Sequence, residues 1–140
     1  MKKRTLILFL MITVLSVMCF SACGKETMTL EKYVADHPEM QTSIDDAMAG
    51  SNVVVEIKEN DIIYSFDLST MDGYTEELAK DEKVITAITD ALAAAGGTFG
   101  NISKTVEDST EIKGITTTVN YMWKDEVLVT QTFTSADATE

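Results

Sequence analysis

The sequence predicts an α+β domain in helix–hairpin–helix–hairpin order, with a four-stranded antiparallel sheet and helices packed on one of its faces. Three observations predict it. Apolar residues recur at helical spacing over 30–48 and again over 74–106. The period falls to two over 53–68 and 115–133. Short polar turns, Glu59-Asn60-Asp61 and Lys124-Asp125-Glu126, divide each alternating run into two strands.

The elements follow in order. Thr29 can cap a first helix, Leu30 to Asp36, with Tyr33 and Val34 as its apolar contacts. Pro38 opens a second, because proline at the first helical position lacks only an N–H that would go unpaired anyway. Met40, Ile44, Ala47 and Met48 form its stripe, and Gly50 is placed to end it. Val53, Val55 and Ile57 then alternate with Val54, Glu56 and Lys58, and Ile62, Tyr64, Phe66 and Leu68 return. The next stripe is Tyr74, Leu78, Val84, Ile88 and Leu92, with Thr75 as cap and Glu76-Glu77 at the positive end of the helix dipole. Gly96-Gly97 should break this helix, leaving Phe99, Ile102 and Val106 on a shorter one. Glu107 to Gly114 is an eight-residue polar stretch. Ile115, Thr117, Val119, Tyr121 and Trp123 then face one way, and Val127, Val129 and Phe133 complete the second hairpin. Thr116, Thr118, Thr130, Thr132 and Thr134 face outward and suggest a solvated sheet face. Residues 135–140 read as a polar, frayed tail. The two hairpins align as copies when Lys58-Glu59 is set on Lys124-Asp125; a true duplication and the chance likeness of two amphipathic hairpins both stay open.

The amino-terminal end is an address. Lys2-Lys3-Arg4 precedes sixteen uncharged, mostly apolar residues, Thr5 to Phe20, in the manner of a secretory signal. A bilayer-spanning helix wants about 20 apolar residues, more than this stretch supplies. Phe20-Ser21-Ala22-Cys23-Gly24 resembles a bacterial lipobox, although Phe20 stands where leucine is usual. That resemblance implies a signal peptide over 1–22, a Cys23 thiol carrying a diacylglyceryl group and a short tether over 23–28. With Cys19 removed, Cys23 is the sole remaining thiol and no intrachain disulfide can form. Two acyl chains anchor stably where one would be marginal.

The mature chain has 118 residues with 8 basic and 23 acidic groups, a formal charge of −15. One domain over 29–134 suits that length, and it can bury enough surface to fold without disulfides or metal. So acidic a body lacks the cationic face that nucleic acid requires. Anionic lipid would repel it, so it should point away from the membrane.

Together with the lipobox, the runs Thr29-Leu30-Glu31-Lys32-Tyr33-Val34, Pro38-Glu39 and Glu111-Ile112-Lys113-Gly114-Ile115 resemble a group of small lipoproteins of Gram-positive, clostridia-type bacteria. These are characterised only as a domain of unknown function. The resemblance implies an exported α+β lipoprotein and carries over no catalytic or binding residue.

No catalytic set assembles in the sequence. His37, the one histidine, lies beside Pro38 at a helix start, where it reads as a surface or capping residue rather than the base of a triad. A thiol reserved for acylation leaves none for thiol catalysis or a zinc–thiolate site. Gly96-Gly97-Thr98-Phe99-Gly100 lacks the lysine of a phosphate-binding loop. The run from Asp67 to Gly73 puts Asp72 where a calcium loop needs its glycine, and Leu78 where it needs a bidentate Glu. Tyr64, Tyr121 and Trp123 share the core side of the strands; they are core packing or, if the helices leave the sheet partly uncovered, a groove for a peptide, glycan or protein loop. The expectation is a lipid-anchored extracytoplasmic binding or accessory module, non-enzymatic, with no cofactor and no metal. An inhibitor-like docking module and a carboxylate-dependent envelope hydrolase are the alternatives.

Overall fold

The computed structural model describes residues 27–139. The expected signal peptide, Cys23 and most of the expected tether lie outside them. Among the described residues no helix is long and apolar enough to cross a membrane.

Helix α1 spans Leu30–Asp36 and α2 spans Pro38–Met48, the bounds the sequence predicts. The Thr29 hydroxyl accepts from the Lys32 N–H and caps α1, whose Leu30 and Val34 are its buried residues. His37 joins the two helices. Its ring stacks on Tyr33 at 4.4 Å between centroids and its Nδ1 donates to the Tyr33 carbonyl at 2.7 Å, a structural role.

Strands β1 (Val53–Lys58) and β2 (Asp61–Asp67) form the first hairpin, and β3 (Thr116–Trp123) and β4 (Glu126–Thr134) the second. Both pair antiparallel around two-residue turns, in which Glu59 and Lys124 take positive φ. Those equivalent turn residues shift the register of the two hairpins by one from the alignment on lysines. At that shifted register Ile57, packed under the helices, falls opposite Met122, which the alternation turns outward, so the hairpins are not copies face for face.

The sheet runs β1-β2-β3-β4, and here the structure corrects the expectation of a wholly antiparallel sheet: the central pair, β2 and β3, is parallel. The reason lies in the connection. A parallel neighbour needs a crossover of at least a dozen or so residues. The chain supplies one through the 3-10 turn Leu68–Thr70 and the helices α3 (Glu76–Ala79), α4 (Glu82–Ala94) and α5 (Gly96–Thr110). It returns to the same end of the sheet, where Thr116 pairs with Asp61 and the Thr116 N–H donates to the Asn60 carbonyl.

That layer departs from expectation in two further ways. The stripe from Thr75 to Ala95 is two helices, because the Asp81 carboxylate accepts from the Lys83 N–H and caps a fresh start. The helix does break here, at Ala95, and the glycine pair opens α5, which then runs on to Thr110. Most of the polar stretch from Glu107 is therefore the end of that helix and its left-handed cap at Glu111, with the Glu107 Oε1 accepting from the N–H groups of Gly114 and Ile115.

All the long helices lie on one face, α1 and α2 over β1, α4 and α5 over β3 and β4. The opposite face is open and rich in threonine. There the Asp61 carboxylate accepts from Thr116 and Thr118, both at 2.9 Å, and Thr118 hydrogen-bonds Thr132. Beneath the helices sit two apolar clusters. Leu30, Val34, Ile62, Ile112 and Ile115 form one; Leu92, Val119, Val129 and Phe133 form the other; Tyr64 touches both.

The segment after Thr134 is docked over 135–139. Thr134 and Asp137 form a reciprocal capping box around the 3-10 turn Ser135–Asp137. This segment lies on the glycine side of α5, so close that a Cβ on Gly100 would come within 2.4 Å of the Ala138 nitrogen.

Candidate functional site

The two halves of the helical layer do not meet over the sheet. Helix α5 sits down on β3 and β4 because its contact residues are small: Gly100 admits the C-terminal segment, and Ser103, fully buried, hydrogen-bonds Thr117 at 2.8 Å and the Phe133 carbonyl at 3.3 Å. Helix α2 stands off by contrast. It has no buried residue, and its stripe of Met40, Ile44 and Met48 is only half-buried.

Between α2 and α5 an apolar cleft of about 340 Å³ remains. Val55, Ile57, Ile62 and Tyr64 make its floor; Met40, Ile44, Ala47 and Met48 form the α2 wall, Ile102 and Val106 the α5 wall. Leu30 and Val34 of α1 complete it. That volume lies within the roughly 300–1,000 Å³ range of small-molecule pockets. No lining side chain is charged, and the polar ones are Ser43 and Tyr64. The Ser43 hydroxyl is already used, donating to the Glu39 carbonyl at 2.8 Å. Burial pushes the Tyr64 phenol above its ordinary pKa. The outer wall, α2, carries Glu39, Asp45 and Asp46 and no Lys or Arg.

Of the three aromatic residues singled out in the sequence, Tyr64 lines this cleft. Tyr121 lies elsewhere: its ring stacks on Phe66 at 4.9 Å, and burial, with the charge of Tyr74 second, raises its phenol. Trp123 pairs with Glu126 beside the β3–β4 turn, and its indole N–H is buried without a partner. The three therefore do not form one groove. The rest of the lining comes from the α2 stripe, whose Met40 and Met48 read from the sequence as groove contacts or as core filler, and from Ile102 and Val106 of α5; helical spacing fixes a face but not how closely that face is covered.

Two of the carboxylates singled out in the sequence are engaged structurally. Asp67 accepts from the backbone N–H groups of Ser69 and Lys124, and the hydrogen bonding from Ser69 above all holds its carboxyl below its ordinary pKa, opposite to what a general acid needs. Asp81 caps α4. Among the described residues no group of three or more His, Cys, Asp and Glu could hold a metal ion.

No curated protein and no solved structure matches the chain. Residues 30–133, from the first residue of α1 to the penultimate residue of β4, match a family described as Domain of unknown function (DUF4854).

Proposed function

The chain belongs to that family, and on this premise we propose that it is a binding or accessory module without enzymatic chemistry, tethered outside the cell membrane by lipid on Cys23, with the cleft between α2 and α5 as its ligand site. One observation carries the binding role: an apolar trough left open between two helices whose sheet floor is otherwise packed. Leaving such surface in water forgoes about 25 cal/mol for each Å² that burial would gain. A ligand that fills the trough recovers it. The anchor rests on the Lys2-Lys3-Arg4 start, the apolar run and the Ser21-Ala22-Cys23 sequence.

Mass spectrometry of the native protein tests the anchor. The expected species starts at Cys23 with a thioether-linked diacylglyceryl group, and a Cys23→Ser variant leaves the membrane fraction. A protein retaining Met1, or a free thiol at position 23, overturns it.

A second reading, a protein-docking module, draws on exposed Leu78 and Val127. The ion pairs of Lys80 with Glu76 and Glu126 join their two elements, α3 and β4.

A further inference from the structure

We infer that the cleft between α2 and α5 takes the alkyl chain of a neutral-headed membrane lipid rather than a peptide or a glycan; this rests on the reading of the cleft as the ligand site. The lining decides the class. A peptide or sugar brings N–H, C=O or hydroxyl groups that lose water on entering and need partners inside. The cleft offers the Tyr64 hydroxyl and little else, since the Ser43 hydroxyl already donates within its own helix. A hydrocarbon chain needs no partner. Met40 and Met48, unbranched and adaptable, suit a chain of variable course. At roughly 30 Å³ for each water-sized group, the space holds a chain of about ten methylenes.

Charge decides the headgroup. Helix α2, the outer wall, carries Glu39, Asp45 and Asp46 and no Lys or Arg, in a chain whose formal charge is −12. A fatty-acid carboxylate approaching so acidic a helix is repelled, whereas a glycerol or other neutral head is not. Position decides the source. Leu30 lines the cleft seven residues after Cys23, a span of at most about 25 Å at ~3.5 Å per residue. An anchored domain thus holds this trough within reach of the bilayer.

The test is photolabelling of the full chain on phosphatidylcholine vesicles containing a monoacylglycerol with a diazirine in its tail, with labelled peptides mapped by mass spectrometry. Label is expected on α2, on β1 and on α5 around Ile102. The matching diazirine fatty acid should label these at least tenfold less. Ala47→Trp, at an exposed position of the α2 wall, should cut labelling at least tenfold, and Ser43→Trp provides a second obstruction should the first disturb folding. Val54→Trp, on the open sheet face, should leave it within twofold. Equal labelling of the obstructed and unobstructed proteins, equal labelling by the fatty acid, or label confined to residues before α1 overturns the proposal. So does a native protein that takes label only when Cys23 carries no lipid, since its own acyl chain would then be the occupant. The same probe delivered in solution below its micelle concentration reads the cleft without the anchor, which separates failure of this inference from failure of the membrane tether.

Discussion

The helical layer has a tight half and a loose half over one continuous sheet, and the difference lies in side-chain size at the contact. Beside β3 and β4, Gly100 of α5 lets the backbone of Asp137 and Ala138 come close, Ser103 is buried against Thr117 and Phe133, and Leu92, Val119, Val129 and Phe133 are all buried. Over β1 and β2, methionine and isoleucine on α2 hold the helix away and no α2 residue is buried. Small residues let a helix settle on a sheet. Larger ones prop it up, and what they leave is the cleft.

The sharpest way to break that comparison is to truncate one apolar side chain in each half. Phe133 is 3% exposed and stacks on Phe99 with centroids 5.2 Å apart, so Phe133→Ala should cost about 3–5 kcal/mol in chemical unfolding. Met40→Ala, at the cleft wall, leaves no new sealed void and should cost about 1 kcal/mol or less. Equal costs would mean that the two halves are packed alike.

Next in size is Gly100→Ala. In an exposed helix interior this change would stabilise by about 1 kcal/mol. Here the added methyl meets the backbone of Asp137 and Ala138 at 2.5 and 2.4 Å, and backbone cannot swing aside as a side chain can. The variant should be destabilised by about 1–3 kcal/mol, and the C-terminal segment should become sensitive to carboxypeptidase. A neutral result would show that the close seat of this segment contributes nothing to the tight half.

These residues also mark where the sequence was legible. The strands, both turns, the Thr29 and Thr75 caps and the start at Pro38 follow from local chemistry, and each stands where its residues put it. The break at Gly96-Gly97 is legible too, but its larger purpose is not, because what the glycines admit lies some forty residues away in sequence. The parallel pairing of β2 with β3 escaped for a similar reason. Alternation fixes which face a residue takes, and it is silent on whether a distant strand returns parallel or antiparallel. Among the aromatics, Tyr64 could be placed on the helix side but not told apart from Tyr121. Its exposure to the cleft depends on the standoff of α2, a property of two helices and a sheet together.

Tyr64 supplies the smallest expected effect and the one that joins the two halves, since it touches both apolar clusters and floors the cleft. Burial raises its phenol above the ordinary value near 10. A folded-state pKa above the unfolded one means that the neutral phenol's contribution is complete below about pH 10 and is lost as pH rises through the higher folded value. Stability should therefore decline on the alkaline side, and Tyr64→Phe should flatten part of that decline while changing little at neutral pH. Tyr121 is raised as well, so a residual slope should persist in the variant. Phenolate absorbance near 295 nm, followed in native buffer, reads the same group directly. A chain seated in the cleft would remove more water from the Tyr64 hydroxyl and push its titration still higher, whereas binding anywhere else would leave that curve unmoved.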